Sequence, residues 1–453
     1  MNLGMSRLSG RYSLCSSIIL RFEPQYYNTF AAFDHRRVRT EFLTKEEYRV
    51  LEYIYDKSAD LSEISKEANI EYGKGEGFLK RMVKSGYVQV DVDSLKVKPP
   101  ERVKVISPSY EKFPLPFLSA PTSVDVFVTS RCNLNCVHCF SKREEETIRE
   151  LSAKELKSIF DQFERLGVFE VRINGGEPFL HPKIVDILRD LGERRFRKVI
   201  LTNGTLLDEE KVNLLKVSEV VPTVSLDDSD AEEHDLFRGA KSSFNRTVEA
   251  LRLLKKHRVQ YGINCCLNRR NLNRYSEVIN LAIKCGAYRI AFLDLKLSGR
   301  MKGNAAWLPS YNEYQKAMYG LMIAKIRYRR KIDVALDVFL HCRNLEESIQ
   351  EAKMGYVSCQ AGRSRLSIDS EGSIYPCNMV LSDPKWSMGN IRNERISDSW
   401  LSEKWLFFRG GVKISELEKC RDCKNLMKCE DFYCRLTPYI TNGNPLGPHP
   451  RCS

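Results

Sequence analysis

The sequence predicts an α/β protein in three parts, and three observations predict it. The first hundred residues combine short β-type runs with three short amphipathic helices. From residue 124 onward, apolar strand-like runs and helices alternate at spacings of about 25 to 40 residues, as in βα units joined by right-handed crossovers. The last hundred residues carry seven of the chain's fifteen cysteines. With 453 residues and 42% hydrophobic content, the chain is long enough for two or three domains with a large core.

No run of about 18 apolar residues exists, so no segment is expected to cross a membrane. Arg7 and Arg11 precede Ser13-Leu14-Cys15-Ser16-Ser17-Ile18-Ile19-Leu20. That run is interrupted by serines and lacks a small-residue cleavage site, so it reads as a strand and not a secretion signal. A cytoplasmic location is expected, and there fifteen thiols point to metal or cluster ligation instead of disulfides. The formal charge of +13 is compatible with nucleic acid, an acidic peptide or an anionic surface as partner. The basic runs Arg194-Arg195-Phe196-Arg197-Lys198 and Lys325 to Lys331 fall near helix ends, where cations are favoured anyway. They read as solvated faces and not as a nucleic-acid patch.

In order, the strands Ile18 to Phe22, Tyr26 to Phe33 and Arg37 to Phe42 come first. A helix follows from Thr44, with Glu47 completing a capping box and Tyr48, Leu51, Ile54 and Tyr55 on one face. Helices over about Leu61 to Ala68 and Lys74 to Ser85 come next, with Gly86 as a stop. Tyr87 to Val92 and Leu95 to Val97 are expected to form a two-stranded wing. Residues 1–98 thus read as a winged-helix module. Such a module can bind DNA through its third helix, here carrying Lys74, Lys80, Arg81 and Lys84, or capture a peptide at a sheet edge. It can also be a packing unit alone. Residues 99–121 hold Pro99, Pro100, Pro108, Pro114, Pro116 and Pro121 and read as a stiff linker.

The βα region follows, with strands at Val124 to Thr129, Glu170 to Ile173, Lys198 to Leu201, Val220 to Leu226, Val259 to Leu267 and Arg289 to Leu293. Ser152 and Glu155 make a capping box for the first helix, and Gly167 ends it. In barrels of parallel strands, chemistry sits at the strand C-terminal ends. After the first strand comes Cys132-Asn133-Leu134-Asn135-Cys136-Val137-His138-Cys139. After the second comes Asn174-Gly175-Gly176-Glu177-Pro178, and after the third Thr202-Asn203-Gly204-Thr205. The fourth ends Val224-Ser225-Leu226-Asp227, and Phe237-Arg238-Gly239 lies some way on. Asn264, inside the fifth strand, asks for a polar lumen. Cys265 and Cys266 are adjacent on that strand, point to opposite faces and read as core thiols, as do Cys285 and Cys342.

Three thiolates at the spacing Cys-x3-Cys-x2-Cys can hold three irons of a cubane cluster and leave the fourth open to another ligand. A zinc loop would normally show paired Cys-x2-Cys units with four ligands. On Cys132, Cys136, Cys139 and the strand-end motifs, the chain resembles the radical S-adenosylmethionine (SAM) enzymes. That resemblance implies a partial (β/α)6 TIM-like barrel, a [4Fe-4S] cluster chelating SAM, and reductive cleavage of SAM to a 5′-deoxyadenosyl radical. It implies SAM contacts from Gly175, Gly176, Glu177 and Pro178, which look like the family's amino-group motif, and from Asn203, Ser225, Asp227 and Arg238.

At the C-terminal end, Asp369-Ser370-Glu371-Gly372 reads as a hairpin turn flanked by Cys359 and Cys377. Then come Cys420, Cys423, Cys429, Cys434 and Cys452. Seven cysteines exceed one four-ligand site, so two centres are expected. The arrangement strongly resembles the SPASM domain, which carries two auxiliary [4Fe-4S] clusters. By that resemblance one uses Cys359, Cys377 and Cys434, and the other Cys420, Cys423, Cys429 and Cys452. The x4 spacing before Cys434 departs from the usual x3. Arg365 stands where some relatives have a further cysteine. Asn378 follows Cys377 where sulfatase-maturing relatives carry an aspartate base, which argues against that reaction.

The expected organisation is a winged-helix module over 1–98, a linker over 99–121, a radical SAM core over 122–340 and a SPASM domain over 341–453. Small winged-helix domains similar to the peptide chaperone of pyrroloquinoline quinone biosynthesis precede many radical SAM peptide maturases, so leader-peptide binding is the expected role of the first module. The expected activity is modification of a ribosomally made peptide or protein by cross-linking, oxidation or epimerisation, with a ferredoxin or flavodoxin as electron donor. Maturation of a haem- or tungstopterin-type cofactor is the alternative within the enzymes, and a DNA-binding redox regulator the one outside them. No single side chain stands out as a catalytic acid or base.

Overall fold

The computed structural model describes the chain apart from residues 1–10, 16–17, 24–28, 35–38, 56, 86, 92–112, 141–148, 337–349, 358, 425, 427–432, 451 and 453. Gly86, the strand Leu95 to Val97, most of the expected linker, Cys342 and Cys429 therefore lie outside the described residues.

Among the described residues the N-terminal region forms from two small sheets and three helices. Strands β2 (Ile18–Glu23), β3 (Thr29–Asp34) and β4 (Arg39–Leu43) make an antiparallel sheet. Helix α1 (Lys45–Tyr53) starts at Thr44 with the expected capping box, and α2 (Leu61–Glu67) starts at Asp60 with another. Helix α3 (Tyr72–Ser85) closes a core of its own around Val50, Leu51, Ile64, Leu79 and Met82. Of the expected wing, the described residues include only the first strand. Strand β5 (Val88–Asp91) pairs antiparallel with β1 (Arg11–Leu14), at the far end of the module. A pairing between such distant residues leaves no local turn signal.

Among the described residues the main sheet has ten strands. Strands β6 (Ser123–Phe127), β7 (Glu170–Asn174), β8 (Arg197–Thr202), β9 (Val221–Ser225), β10 (Gly262–Leu267), β11 (Arg289–Asp294) and β12 (Asp333–Leu336) run parallel in chain order. The sequence reading located six of these. It missed β12, four residues placed directly after a basic run. Helices α4 (Ala153–Arg165), α5 (Ile184–Gly192), α6 (Glu209–Val217), α7 (Ala231–Arg238), α8 (Ser243–Lys256), α9 (Tyr275–Cys285) and α10 (Tyr311–Tyr328) form the connections. On the other side of β6, β13 (Arg365–Ile368) adds in parallel, followed antiparallel by β14 (Ser373–Tyr375) and β15 (Gly389–Asn390). The cysteine-rich end thus extends the barrel sheet. One hydrophobic core runs from Val126 and Phe160 to Trp400 and Trp405.

Two expectations change with packing. Residues 113–121 do not run as a free linker: Leu115 and Phe117 are fully buried, and the Trp400 indole donates to Leu118 O at 2.8 Å. Arg194 is not solvated either. It is buried, bonded to Asp190, Asp161 and Glu164, and these partners supply the compensation a buried cation requires. The N-terminal module docks at the opposite end of the barrel from the strand C-termini. Phe33 stacks on Phe169 at 4.5 Å, and Arg21 donates to Ala120 O at 2.7 Å. Among the described residues no helix is long and apolar enough to cross a membrane.

Candidate active site and cluster-binding cavity

The loop after β6 carries Cys132, Cys136 and Cys139, and neighbouring segments hold its backbone from three sides. From β7, Gly176 N donates to Thr129 O at 2.9 Å and Glu177 N to Arg131 O at 2.7 Å. A Cβ on Gly176 would lie 2.3 Å from Arg131 O, so only glycine permits this approach. From the end of α7, Asn135 N donates to Arg238 O at 3.2 Å and Val137 N to Phe237 O at 2.9 Å. Gly239 has φ +61, and a Cβ there would sit 2.2 Å from Asn135 O. From the turn after β11, Arg300 donates twice: its backbone N–H to Cys139 O at 3.0 Å and its Nε to Cys136 O at 2.9 Å.

His138 stacks on Phe237 with ring centroids 4.2 Å apart. Burial, aided by the Arg238 charge, pushes its pKa down to about 3, so it is neutral. Its Nδ1 is buried without a hydrogen-bond partner among the described residues. Asp227 and Arg238 form a buried ion pair at 2.5 Å, and Asp227 also accepts from Cys266 N at 2.8 Å. Burial pushes the Asp227 carboxyl up, but the Arg238 charge outweighs it and holds it below its ordinary value. Burial opposes the Arg238 charge, but Asp227 and the Cys136 sulfur outweigh it and keep the guanidinium protonated. Arg238 Nη1 stands 3.8 Å from Cys136 Sγ, placing a cation beside a cysteine sulfur.

Glu177 makes hydrogen bonds of its own within the protein. Its side chain is fully buried and faces the next strand end. Its oxygens accept from Thr202 Oγ1 at 2.7 Å, Asn203 N at 2.8 Å and Phe179 N at 3.3 Å. Burial raises its pKa to about 7, against the pull of these hydrogen bonds. Pro178 is buried as well. Neither residue lines the central cavity, whereas Gly175, Gly176, Asn203, Ser225, Asp227 and Arg238 all do. Glu177 therefore ties the β7 motif to the β8 motif, and Asn203 in turn donates to Asn133 of the cysteine loop at 2.9 Å.

The cavity measures about 1390 Å³ and has cysteines at both ends. Cys132, Cys136 and Cys139 line one end, and Cys359, Cys377, Cys423, Cys434 and Cys452 line the other, with Arg365 and Asn378. Cys420 is buried outside the lining. Thr437 Oγ1 donates to Cys434 Sγ at 3.2 Å. Among the described residues, no three Cys, His, Asp or Glu side chains could hold a single metal ion. A cubane presents four separate irons, so its thiolates need not converge on one point. The donor set, the glycine approach and the cation beside Cys136 fit an anionic thiolate-held cluster better than a lone zinc ion.

Asn264 and Cys266 line the cavity, while Cys265 turns to the outer core. Burial raises both thiols well above their ordinary pKa, which fits protonated core thiols. The sequence reading missed two features. One is Arg300, which no local pattern signals. The other is a charged layer low in the lumen, where Arg172 pairs with Asp125 at 2.6 Å and Arg197 with Glu170 at 2.5 Å. A signal for it existed: in Glu170-Val171-Arg172-Ile173-Asn174 the polar residues alternate with apolar ones, as a strand facing a polar lumen requires.

Comparison with known proteins agrees with this arrangement. Residues 126–282 match the Radical SAM superfamily, and residues 359–424 match the Iron-sulfur cluster-binding domain. The mycofactocin maturase MftC of Mycolicibacterium smegmatis is 32% identical over 345 residues, 74% of this chain and 83% of that one. The AdoMet-dependent heme synthase of Methanosarcina barkeri is 29% identical over 347 residues, 74% of this chain and 97% of that one. The crystal structure of Streptococcus suis SuiB bound to precursor peptide SuiA shares the fold with a TM-score of 0.73 at 18% identity, covering 98% of this chain and all of that one.

Proposed function

The chain belongs to the radical SAM superfamily and carries a SPASM region, and on that premise we propose that it modifies a ribosomally made peptide or protein. Cys132, Cys136 and Cys139 would hold the SAM-binding [4Fe-4S] cluster. When bound, the cluster and SAM supply a 5′-deoxyadenosyl radical able to take hydrogen from a substrate C–H. The backbone of Gly175 and Gly176, with Asn203, Ser225 and Asp227, would seat SAM, and Arg238 would balance charge at the Cys136 thiolate. Neutral His138, stacked on Phe237, fixes the loop between Cys136 and Cys139. Cys359, Cys377 and Cys434 would form one auxiliary site and Cys420, Cys423, Cys429 and Cys452 the other.

The single observation that carries this reading is the shared cavity. One space of about 1390 Å³ joins the cysteine loop to the C-terminal cysteines, so a substrate inside it can reach both. The proposed division of labour has residues 1–98 binding a leader peptide, 99–121 connecting, 122–340 carrying the radical chemistry and 341–453 the auxiliary clusters. A ferredoxin or flavodoxin in the cytoplasm would supply electrons. The second reading, maturation of a haem-type cofactor, draws on the likeness to nearly the whole length of the heme synthase. The N-terminal module favours the peptide, because the likeness to the SuiB fold, solved with its precursor peptide bound, extends over 98% of the chain and so takes in that module.

The test is mass spectrometry of each short peptide encoded beside the enzyme, before and after incubation with reduced enzyme and SAM. Loss of a pair of hydrogens per site establishes cross-linking or oxidation. Solvent deuterium uptake at constant chemistry establishes epimerisation. If 5′-deoxyadenosine forms while every peptide stays unchanged in both assays, the cofactor reading takes its place.

A further inference from the structure

Helix α10 has two apolar faces. Tyr314, Ala317, Met318, Leu321 and Ala324 are buried on one. On the other, Tyr319, Met322, Ile323 and Ile326 follow the i, i+3, i+4, i+7 spacing of a docking face and are 72%, 56%, 52% and 63% exposed. With Tyr311, they make five of the twelve large hydrophobic side chains exposed among the described residues. A concentration of this kind on one helix is not the scattered exposure of an ordinary surface.

Two further features surround the stripe. Lys325, Arg327, Arg329, Arg330 and Lys331 are all exposed at its C-terminal end. Among the described residues none of them forms a salt bridge, and the flanking acids Glu313 and Asp333 pair with Arg269 and Arg289 instead. Alongside the stripe runs a groove of about 660 Å³ lined by Asn273, Tyr275, Asn312, Gln315, Tyr319 and Ile323. Gln315 also lines the central cavity, so the groove and the cavity share one side chain.

We propose that α10 docks an acidic amphipathic segment of the substrate, outside the part that enters the central cavity. This rests on the reading that the substrate is a peptide or protein. An amphipathic helix can lay apolar side chains along the groove and set its carboxylates over the basic end. A second copy of this chain is disfavoured, because an antiparallel two-fold contact would set the basic cluster against the N-terminal half of the same helix, whose acid Glu313 already pairs with Arg269. A lipid surface is flat and would leave the groove, with its amide side chains of Asn273, Asn312 and Gln315, unfilled.

The test uses the iron-loaded full chain and three labelled synthetic peptides. One has Leu at i, i+3, i+4 and i+7 with Glu elsewhere, the second has Lys for every Glu, and the third scrambles the first. Fluorescence anisotropy is expected to show the acidic amphipathic peptide binding at least ~10-fold more tightly than the other two, and more weakly as salt rises. Ile326→Asp, and separately Arg327→Glu with Arg330→Glu, are expected to weaken it at least ~10-fold at unchanged circular dichroism and iron content. Equal binding of the scrambled peptide, or unchanged affinity in both variants, overturns the proposal. Binding to phosphatidylglycerol vesicles but to no peptide overturns it in favour of a lipid surface. Wild-type enzyme that cleaves SAM and modifies its peptide, yet ignores the acidic probe, loses only this docking site. Wild-type enzyme that forms no 5′-deoxyadenosine loses the radical reading itself.

Discussion

The two ends of the central cavity are built in different ways. At one end, three cysteines sit within eight residues, and backbone hydrogen bonds from β7, α7 and the turn at Arg300 hold their loop. At the other, the cysteines are drawn from residues 359 to 452 and ride on a hairpin, short 3-10 turns and chain ends, with Cys423 and Cys452 exposed. The first end is shaped by packing before any iron arrives. The second gathers distant thiols at the edges of the main core and of a small cluster around Val357 and Leu417, and bound clusters would add to its order. Preorganisation suits the end where SAM must meet one iron in one geometry; coordination alone suffices to hold an electron carrier.

Removing ligands is the largest test of that contrast. Replacing Cys132, Cys136 and Cys139 with Ala is expected to abolish 5′-deoxyadenosine formation while the C-terminal sites keep their iron and sulfide, as read by chromatography and metal analysis. Retained turnover would break the comparison. Iron removal by a chelator is expected to raise hydrogen exchange around residues 415–424 and leave residues 131–139 protected; the reverse pattern would show that iron and not packing shapes the first end. Gly239→Ala is next, since its Cβ would meet Asn135 O at 2.2 Å in a left-handed conformation. A loss of ~3 kcal/mol in urea unfolding is expected, with iron lost from the first site only.

Glu177 sharpens the comparison through pH. Its folded pKa is raised from 4.5 to about 7, so the folded state binds the proton more tightly than the unfolded state does. That contribution is fully present below pH 4.5 and is lost as pH rises to about 7, roughly 3 kcal/mol in all. Glu177→Gln is expected to flatten stability against pH across this window, relative to wild type. Unchanged curves would show that the acid does not tie β7 to β8. The smallest effect belongs to the other end. Thr437→Val removes the hydrogen bond to Cys434 Sγ and is expected to lower one auxiliary potential by ~40 mV, the worth of a bond of ~1 kcal/mol. An electron-spin-resonance redox titration reads it, and no shift would argue against Cys434 as a ligand.

Much of the fold was legible because its signals are local. The capping boxes at Thr44 and Ser152 mark helix starts through contacts three residues apart. Strands buried on both faces read as apolar runs between glycine-rich ends. The β1–β5 pairing and the joining of β13 to β6 were not legible, because each depends on a partner far along the chain, and β12 was not because its four residues follow a basic run.

The sequence by itself determined which atoms are available: three thiols at one spacing, seven more near the end, glycines where backbones must touch and polar residues alternating into a lumen. Tertiary structure decided what those atoms face. It turned Glu177 from the cavity toward Thr202 and Asn203, set Arg238 between Asp227 and Cys136, buried Arg194 among carboxylates and brought Arg300 onto the cysteine loop. The physical reason is that a residue's type and spacing are carried by the chain, whereas the direction and burial of its side chain follow from packing against other segments, 25 residues away for Glu177 and 164 for Arg300.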